Sequence, residues 1–180
     1  IGENVRGLLN HEGGKTIQGM VSVLHELGYD VVPPRILKAI FHRVPQKRER
    51  VFIVGLKRGA GLYFVWPKPH NEIYTVKDAL KKGRLPLETQ KAYMTGSFHL
   101  SGGKTGMARR LSWDEPSLTL TCAPAQKQTE RCHPEITRPF TVREYARIQT
   151  FPDDWVFSGS LTSQYAQIGN AVPVNLAEDM

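Results

Sequence analysis

An α/β fold carrying a loop-rich insert is expected from three features of the 180-residue sequence. Apolar residues recur at helical spacing over 16–28, a short β-branched apolar run stands at 51–56, and from Lys57 onward the texture turns to glycine, proline and short polar–apolar stretches. In chain order, Ile17, Met20, Val21, Val23, Leu24 and Leu27 mark an amphipathic helix, with Thr16 placed to cap its start and Gly28 to stop it. Tyr29 to Leu37 reads as an extended segment broken by Pro33-Pro34. Val51-Phe52-Ile53-Val54-Gly55-Leu56 follows the charged stretch from Gln46 to Arg50 and reads as a strand buried on both faces, as in an open parallel sheet. Gly59, Gly61, Gly83, Gly96, Gly102, Gly103 and Gly106 punctuate a basic insert with a few short strands. Thr141 to Phe151 is helical again and Pro152 ends it, and a last helix starts near Val172 to Asn175.

Composition bounds the function. Lys and Arg number 24 against 17 Asp and Glu, a net +7. Such an excess makes either a solvated basic surface or a partner surface for a polyanion. A hydrophobic content of 40% suffices for a core and excludes wholesale disorder. No apolar run approaches the roughly 18 residues of a membrane span, so no membrane partner is expected. Two cysteines are too few to staple the fold, and Cys132-His133 has no second ligand pair to complete a metal site, so no metal is expected. Both cysteines fit free thiols in a reducing cytoplasm. The chain opens Ile1-Gly2-Glu3-Asn4-Val5, without the basic and apolar regions of a signal peptide, and reads as a chain entered in its middle.

Three clusters carry candidate chemistry. Glu3-Asn4-Val5 is uninformative alone, since an exposed glutamate is the ordinary case. In Gln46-Lys47-Arg48-Glu49-Arg50, Arg48 and Arg50 alternate before the apolar run; period-two placement puts both guanidiniums on one face, suited to bidentate contact with a base or phosphate, and a solvated charge run is the plainer alternative. The third is the ordered pair Arg138-Pro139-Phe140-Thr141-Val142-Arg143-Glu144-Tyr145-Ala146-Arg147-Ile148-Gln149-Thr150-Phe151-Pro152 and Gly169-Asn170-Ala171-Val172-Pro173.

Together these segments resemble the C-terminal part of a bacterial cytosine-C5 DNA methyltransferase: its ENV, QxRxR and last two motifs stand in order, with residues 57–137 in the place of its variable target-recognition region. Trp113 to Thr121, containing Thr119-Leu120, resembles the end of that region. The resemblance implies the C-terminal portion of a Rossmann-like S-adenosylmethionine-dependent domain with an inserted, small β recognition domain. It divides the chain into a catalytic part (1–57), a recognition domain (58–137) and a return segment (138–180).

The implied reaction is transfer of a methyl group from S-adenosylmethionine to C5 of a cytosine flipped out of double-stranded DNA, in a restriction-modification setting. Carbon 5 is a poor nucleophile, and the family adds a cysteine thiolate to carbon 6 to activate it. That addition needs a donor at N3, and Glu3 matches the glutamate with this role. Arg50, with Arg48 beside it, would hold the O2 edge. Asn170, Ala171 and Val172 match residues bordering the cofactor and the catalytic pocket. Gln46, Lys104, Arg109, Arg110, Thr119 and Leu120 are the candidate DNA contacts, the basic, glycine-rich stretch 101–110 being able to approach phosphates and base edges closely. The 141–151 helix is expected to pack the recognition domain, with its arginines in internal ion pairs.

The family's nucleophile lies in a Pro-Cys dipeptide, whereas Cys122 stands in Thr-Cys-Ala and Cys132 in Arg-Cys-His. The expectation is therefore a C-terminal fragment, or the small subunit of a split enzyme, inactive until joined by an N-terminal half that carries the Pro-Cys and most of the cofactor site. Two rivals belong to other classes: a sequence-specific DNA-binding targeting subunit without catalysis, in which Glu3 is dispensable, and a degenerate relative kept as a protein-interaction scaffold, without salt-dependent DNA affinity.

Overall fold

The computed structural model describes residues 1–80, 109–123, 131–135 and 138–180. The elements are β1 (Gly2–Val5), α1 (Lys15–Glu26), β2 (Tyr29–Lys38), β3 (Gln46–Lys47), β4 (Glu49–Lys57), α2 (Val76–Leu80), β5 (Arg109–Arg110), β6 (Ser117–Leu118), β7 (Arg131–Cys132), α3 (Val142–Ile148), α4 (Leu161–Asn170) and α5 (Val174–Asp179). They fall into two compact units. The first comprises Ile1–Lys38 and Glu49–Lys68 with Met180, and the second Ala39–Arg48 and Pro69–Asp179.

In the first unit β4 is the central strand of a three-stranded sheet ordered β1-β4-β2. Both pairings are antiparallel, so the parallel arrangement expected from the apolar run is not what these residues form. The run itself behaves as its composition dictates: Val51, Phe52, Ile53 and Val54 are all buried, as a central strand requires. Each such side chain contributes about 1.5–3 kcal/mol when fully removed from water. Val51 and Ile53 pack with Ile17 of α1, and Leu8, Leu9, Leu24 and Val31 close around them. Along β2 the register slips between Val32 and Arg35. Pro33 and Pro34 sit there without N–H groups to donate, and an edge strand is where such a bulge is tolerated.

Helix α1 starts one residue before the position expected of its cap. Gly14, in the left-handed region at φ +89°, is the capping residue, and no side chain caps the helix. Thr16 lies inside the first turn, its hydroxyl 2.6 Å from His11 Nδ1. Gly28 terminates the helix at φ +84°, as a residue without Cβ allows. Only Ile17 is buried, whereas Met20, Val23 and Leu27 are exposed.

The second unit is built around α3 and α4. Leu120, Phe140, Tyr145, Ala146, Ile148, Tyr165 and Ile168 form its core with Val76 and Leu111. Tyr145 and Tyr165 meet edge to face at 5.2 Å, and Tyr165 donates its hydroxyl hydrogen to Phe140 O at 2.6 Å. Helix α3 opens with a capping box: Thr141 accepts from Glu144 N, while the Glu144 carboxylate accepts from Thr141 N. It ends at Ile148, and Thr150 turns the chain at φ +62° before Pro152 is reached. Helix α5 begins at Val174, within the expected window, while α4 has no counterpart among the helices expected from the sequence.

Candidate active site

In the first unit the antiparallel register places Val5 opposite Arg50 and Glu3 opposite Phe52. Glu3 and Arg50 are therefore diagonal neighbours on one face, within reach for two long side chains. Arg50 Nε lies 2.8 Å from Glu3 Oε1, with the side chains 16% and 23% exposed. The N–H is not aimed at that oxygen, which accepts no directed hydrogen bond. A second Arg50 nitrogen donates to Glu49 O at 2.9 Å. The result is a carboxylate held by charge, with one buried oxygen that still has room for a donor. Asn4 turns its amide oxygen back to accept from Val5 N at 2.8 Å, fixing the strand end beyond Glu3. Glu49 pairs with Arg6 and Lys38 (3.0 and 3.4 Å), and the Arg6 hydrogen bond, with Lys38 in support, holds its carboxyl below the usual range.

Arg48, two residues before Arg50, belongs to the second unit and meets a different environment. Its side chain is buried and donates to Leu120 O (3.3 Å), Gly169 O (3.1 Å) and Ala171 O (3.2 Å). The period-two pattern thus splits: Arg50 faces a carboxylate, Arg48 faces backbone carbonyls. Around Arg48 a polar network holds residues 119–122. Thr119 Oγ1 donates to Lys47 O at 2.7 Å, and Leu120 N donates to Gln46 Oε1 at 2.9 Å. Tyr145 OH accepts from Thr121 N at 2.9 Å and donates to Thr121 O at 2.8 Å. Cys122 Sγ donates to Asn170 Oδ1 at 2.8 Å. Gly169 is required here, because a Cβ would sit 2.6 Å from the carbonyl carbon and oxygen of Thr121 and 2.7 Å from Cys122 N.

Asn170 is exposed, while Ala171 and Val172 are half-buried. With its oxygen facing Cys122, the Asn170 amide nitrogen is the donor end, and Ala171 and Val172 lie beside it in sequence. Such a donor with a small apolar margin suits one wall of a site for a molecule that is part polar and part apolar.

Of the candidate DNA contacts, Gln46 and Leu120 have buried side chains and face protein groups, so neither reaches a surface that DNA could touch. Lys104 lies outside the described residues. Arg109 is placed by its backbone in β5, parallel to Arg131. Arg110 is half-buried and donates to His133 O and Pro134 O at 3.4 and 3.2 Å, so its guanidinium braces the chain at 133–134. The arginines of α3 are internally engaged. Arg147 pairs with Asp153 at 2.7 Å, and Arg143 donates to Pro152 O and Trp155 O. Arg138, just before the helix, makes a bidentate pair with Glu144 at 2.7 and 2.8 Å. Burial pushes the Glu144 carboxyl upward, but the bonds from Arg138 and Thr141 N outweigh it and hold the group below the usual range. Burial pushes neighbouring His133 down, against the pull of Glu144.

Sequence reasoning passed over Tyr145 and Gln149 as functional positions. Both read as ordinary core-face residues of a helix, and only their partners, 24 and 103 residues away, show what they hold. Among the described residues no group of three or more acidic, histidine or cysteine side chains could hold a metal ion, and no helix is long and apolar enough to cross a membrane.

The whole chain, residues 1–180, matches the family model for the C-5 cytosine-specific DNA methylase. It is 55% identical to the type II methyltransferase M.Eco47II of Escherichia coli, over 98% of this chain and 51% of that protein. It is 48% identical to M.Sau96I of Staphylococcus aureus, over 99% of this chain and 48% of that protein. The chain thus spans about half the length of the curated relatives it matches. Among solved structures, the Dnmt2 methyltransferase of S. pombe shares the fold at a TM-score of 0.71 and 20% identity, covering 98% of this chain and 61% of that one. The Entamoeba histolytica methyltransferase EhMeth shares it at 0.65 and 16%, over 98% and 59%. Arrangement and kinship agree: the chain belongs to the C-5 cytosine-specific DNA methylase family.

Proposed function

We propose that this chain supplies the base-holding part of a DNA cytosine-C5 methyltransferase of the restriction-modification type, acting on a specific site in double-stranded DNA in a bacterial cytoplasm. The observation that carries the proposal is the Glu3–Arg50 pair, 2.8 Å apart on adjacent strands and partly open to solvent. Cytosine presents an acceptor at N3 and another at O2. Glu3, taking up one proton as the base enters, donates to N3, and Arg50 donates to O2 while keeping its hold on Glu49 O. Drawing electron density toward N3 and O2 makes carbon 6 open to attack by a thiolate. Neither Cys122 nor Cys132 follows a proline, so the nucleophile belongs to a further segment carrying Pro-Cys, with which this chain works. S-adenosylmethionine, when bound, supplies the electrophilic methyl group; Asn170, Ala171 and Val172 form one wall of its site, and the remainder lies on that segment. The division into catalytic (1–57), recognition (58–137) and return (138–180) parts is carried into this reading, with Thr119 and the basic residues Lys104, Arg109 and Arg110 as the DNA side of the chain, while the buried Gln46 and Leu120 stand behind it.

The test is transfer of labelled methyl to duplex DNA by this chain combined with the Pro-Cys-bearing half. Transfer that disappears on Glu3→Gln supports the assignment. Full transfer by the Glu3→Gln complex would remove Glu3 from its role.

A further inference from the structure

The buried amides of Gln46 and Gln149 form a one-way chain of hydrogen bonds. Leu120 N donates to Gln46 Oε1 at 2.9 Å, Gln46 Nε2 donates to Gln149 Oε1 at 2.8 Å, and Gln149 Nε2 donates to Ile168 O at 2.7 Å and Ala171 O at 3.2 Å. Both side chains are wholly removed from solvent. The direction is fixed at each end by backbone groups that have no choice of role. A peptide N–H can only donate, so the Gln46 oxygen faces Leu120; peptide carbonyls can only accept, so the Gln149 nitrogen faces Ile168 and Ala171. A single flip anywhere would set oxygen against oxygen or N–H against N–H in a buried place, at the full cost of unmade hydrogen bonds.

We propose that Gln149 is a positioning residue for the methyl-transfer site. With Gln46 it forms a relay that sets where the turn at 168–171, and hence Asn170, stands relative to the segment 119–122. The relay joins parts of the sequence that are not otherwise neighbours: Gln46 and Gln149 are 103 residues apart. Arg48 runs beside it, tying Leu120 O to Gly169 O and Ala171 O, and Gly169 lets the two backbones touch. Neither glutamine touches the reacting atoms; both act through the exposed Asn170 edge. The functional half of this inference rests on the methyltransferase reading, whereas the mechanical half does not.

Two measurements test it. Hydrogen exchange on the full chain reads the relay at the end remote from each change. Gln149→Met is expected to speed exchange at Leu120 N–H about tenfold, and Gln46→Met to speed it similarly at Ala171 N–H, which bonds to Ile168 O. Unchanged exchange at the remote end in either variant overturns the relay, and if one variant fails to fold the other carries the test. In the complex with the Pro-Cys-bearing half, each change is expected to raise the KM for S-adenosylmethionine about tenfold per folded molecule. Because the links act in series, the Gln46→Met/Gln149→Met double variant is expected to lose no more than about threefold beyond the worse single. Multiplying losses, or a loss that only follows the folded fraction with KM unchanged, overturns the positioning role. If the unsubstituted complex transfers no methyl group, the methyltransferase reading falls, and the exchange measurement still decides the relay.

Discussion

Gly169→Ala isolates the close approach between α4 and the 119–122 segment. The new Cβ would lie 2.6 Å from the Thr121 carbonyl carbon and oxygen, so the two backbones must part by about 0.8 Å to reach ordinary contact at 3.4 Å. Thr121 is not free to yield, since its N–H and its carbonyl both bond to the hydroxyl of the buried Tyr145. Breaking those two bonds costs about 1 kcal/mol each, and overpacking adds about 1–3 kcal/mol. Against this, alanine in a helix gains about 1 kcal/mol over glycine. The net is a loss of about 2–4 kcal/mol, a fall in Tm of roughly 4–16 °C at 2–4 °C per kcal/mol. Gly19→Ala is the matched control: Gly19 lies within α1, nothing stands within 4 Å of the place a Cβ would take, and the change is expected to gain up to about 1 kcal/mol. Thermal unfolding of the two variants beside the parent reads both signs. A Gly169→Ala variant as stable as the parent would show that the 119–122 segment gives way freely, and the rigidity inferred for it would be wrong.

Tyr145→Phe removes the hydroxyl that serves both Thr121 N and Thr121 O, and a loss of about 1–3 kcal/mol is expected in urea unfolding. Acid should weaken the second unit in two steps. His133, held neutral by burial, takes up its proton more readily when unfolded, so stability falls as pH drops below the ordinary histidine value of 6.5. Glu144, whose folded carboxyl is held down, loses its contribution as pH falls below its ordinary 4.5. A urea midpoint flat from pH 7 to pH 5 would contradict the first step, and one flat from pH 5 to pH 2 the second. Arg50→Met should cost about 1–3 kcal/mol of stability, because it leaves the mostly buried Glu3 carboxylate without its cation, while methyl transfer by the complex, per folded molecule, falls at least about tenfold; transfer rates and melting curves on the same samples separate the two effects.

Much of the fold is legible in the sequence because its signals are local. The apolar run at 51–54 forms a buried strand, Gly28 ends α1, and Thr141 with Glu144 forms a capping box at the expected start of α3. Strand direction is not legible: which neighbour β4 takes, and in which sense, depends on the chain far from it. Thr16 misleads because Gly14, two residues earlier, already adopts the left-handed turn that starts the helix. Helix α4 escapes notice because Gly169 and several polar residues weaken its periodicity, although Ser160 caps it in the ordinary way, accepting from Ser163 N. At the candidate site, Glu3 and Arg50 are legible as residue types, and the register of β1 with β4 brings them together. The separate fates of Arg48 and Arg50 are not, since spacing along a strand says nothing about which buried carbonyls wait beyond its end. Arg110 shows the same gap, since nothing in a basic, glycine-rich stretch announces the carbonyls of His133 and Pro134 to which it donates.

The short stretch Ala39–Arg48 belongs with residues that come much later in the chain. Its His42 bonds Asp179 across 137 positions, Gln46 bonds Gln149 across 103, and Arg48 bonds Ala171 across 123. Closing a loop of about 100 residues costs about 2 kcal/mol more chain entropy than closing one of 10. During synthesis at about 5–20 residues per second, this stretch waits roughly 5–27 s for its partners to be made. Throughout that interval the Arg48 guanidinium and the amide of Gln46 are without the carbonyls that later enclose them. Assembly of the second unit is therefore a late event in the making of the chain, and one that a slow translation step between residues 50 and 140 would delay further.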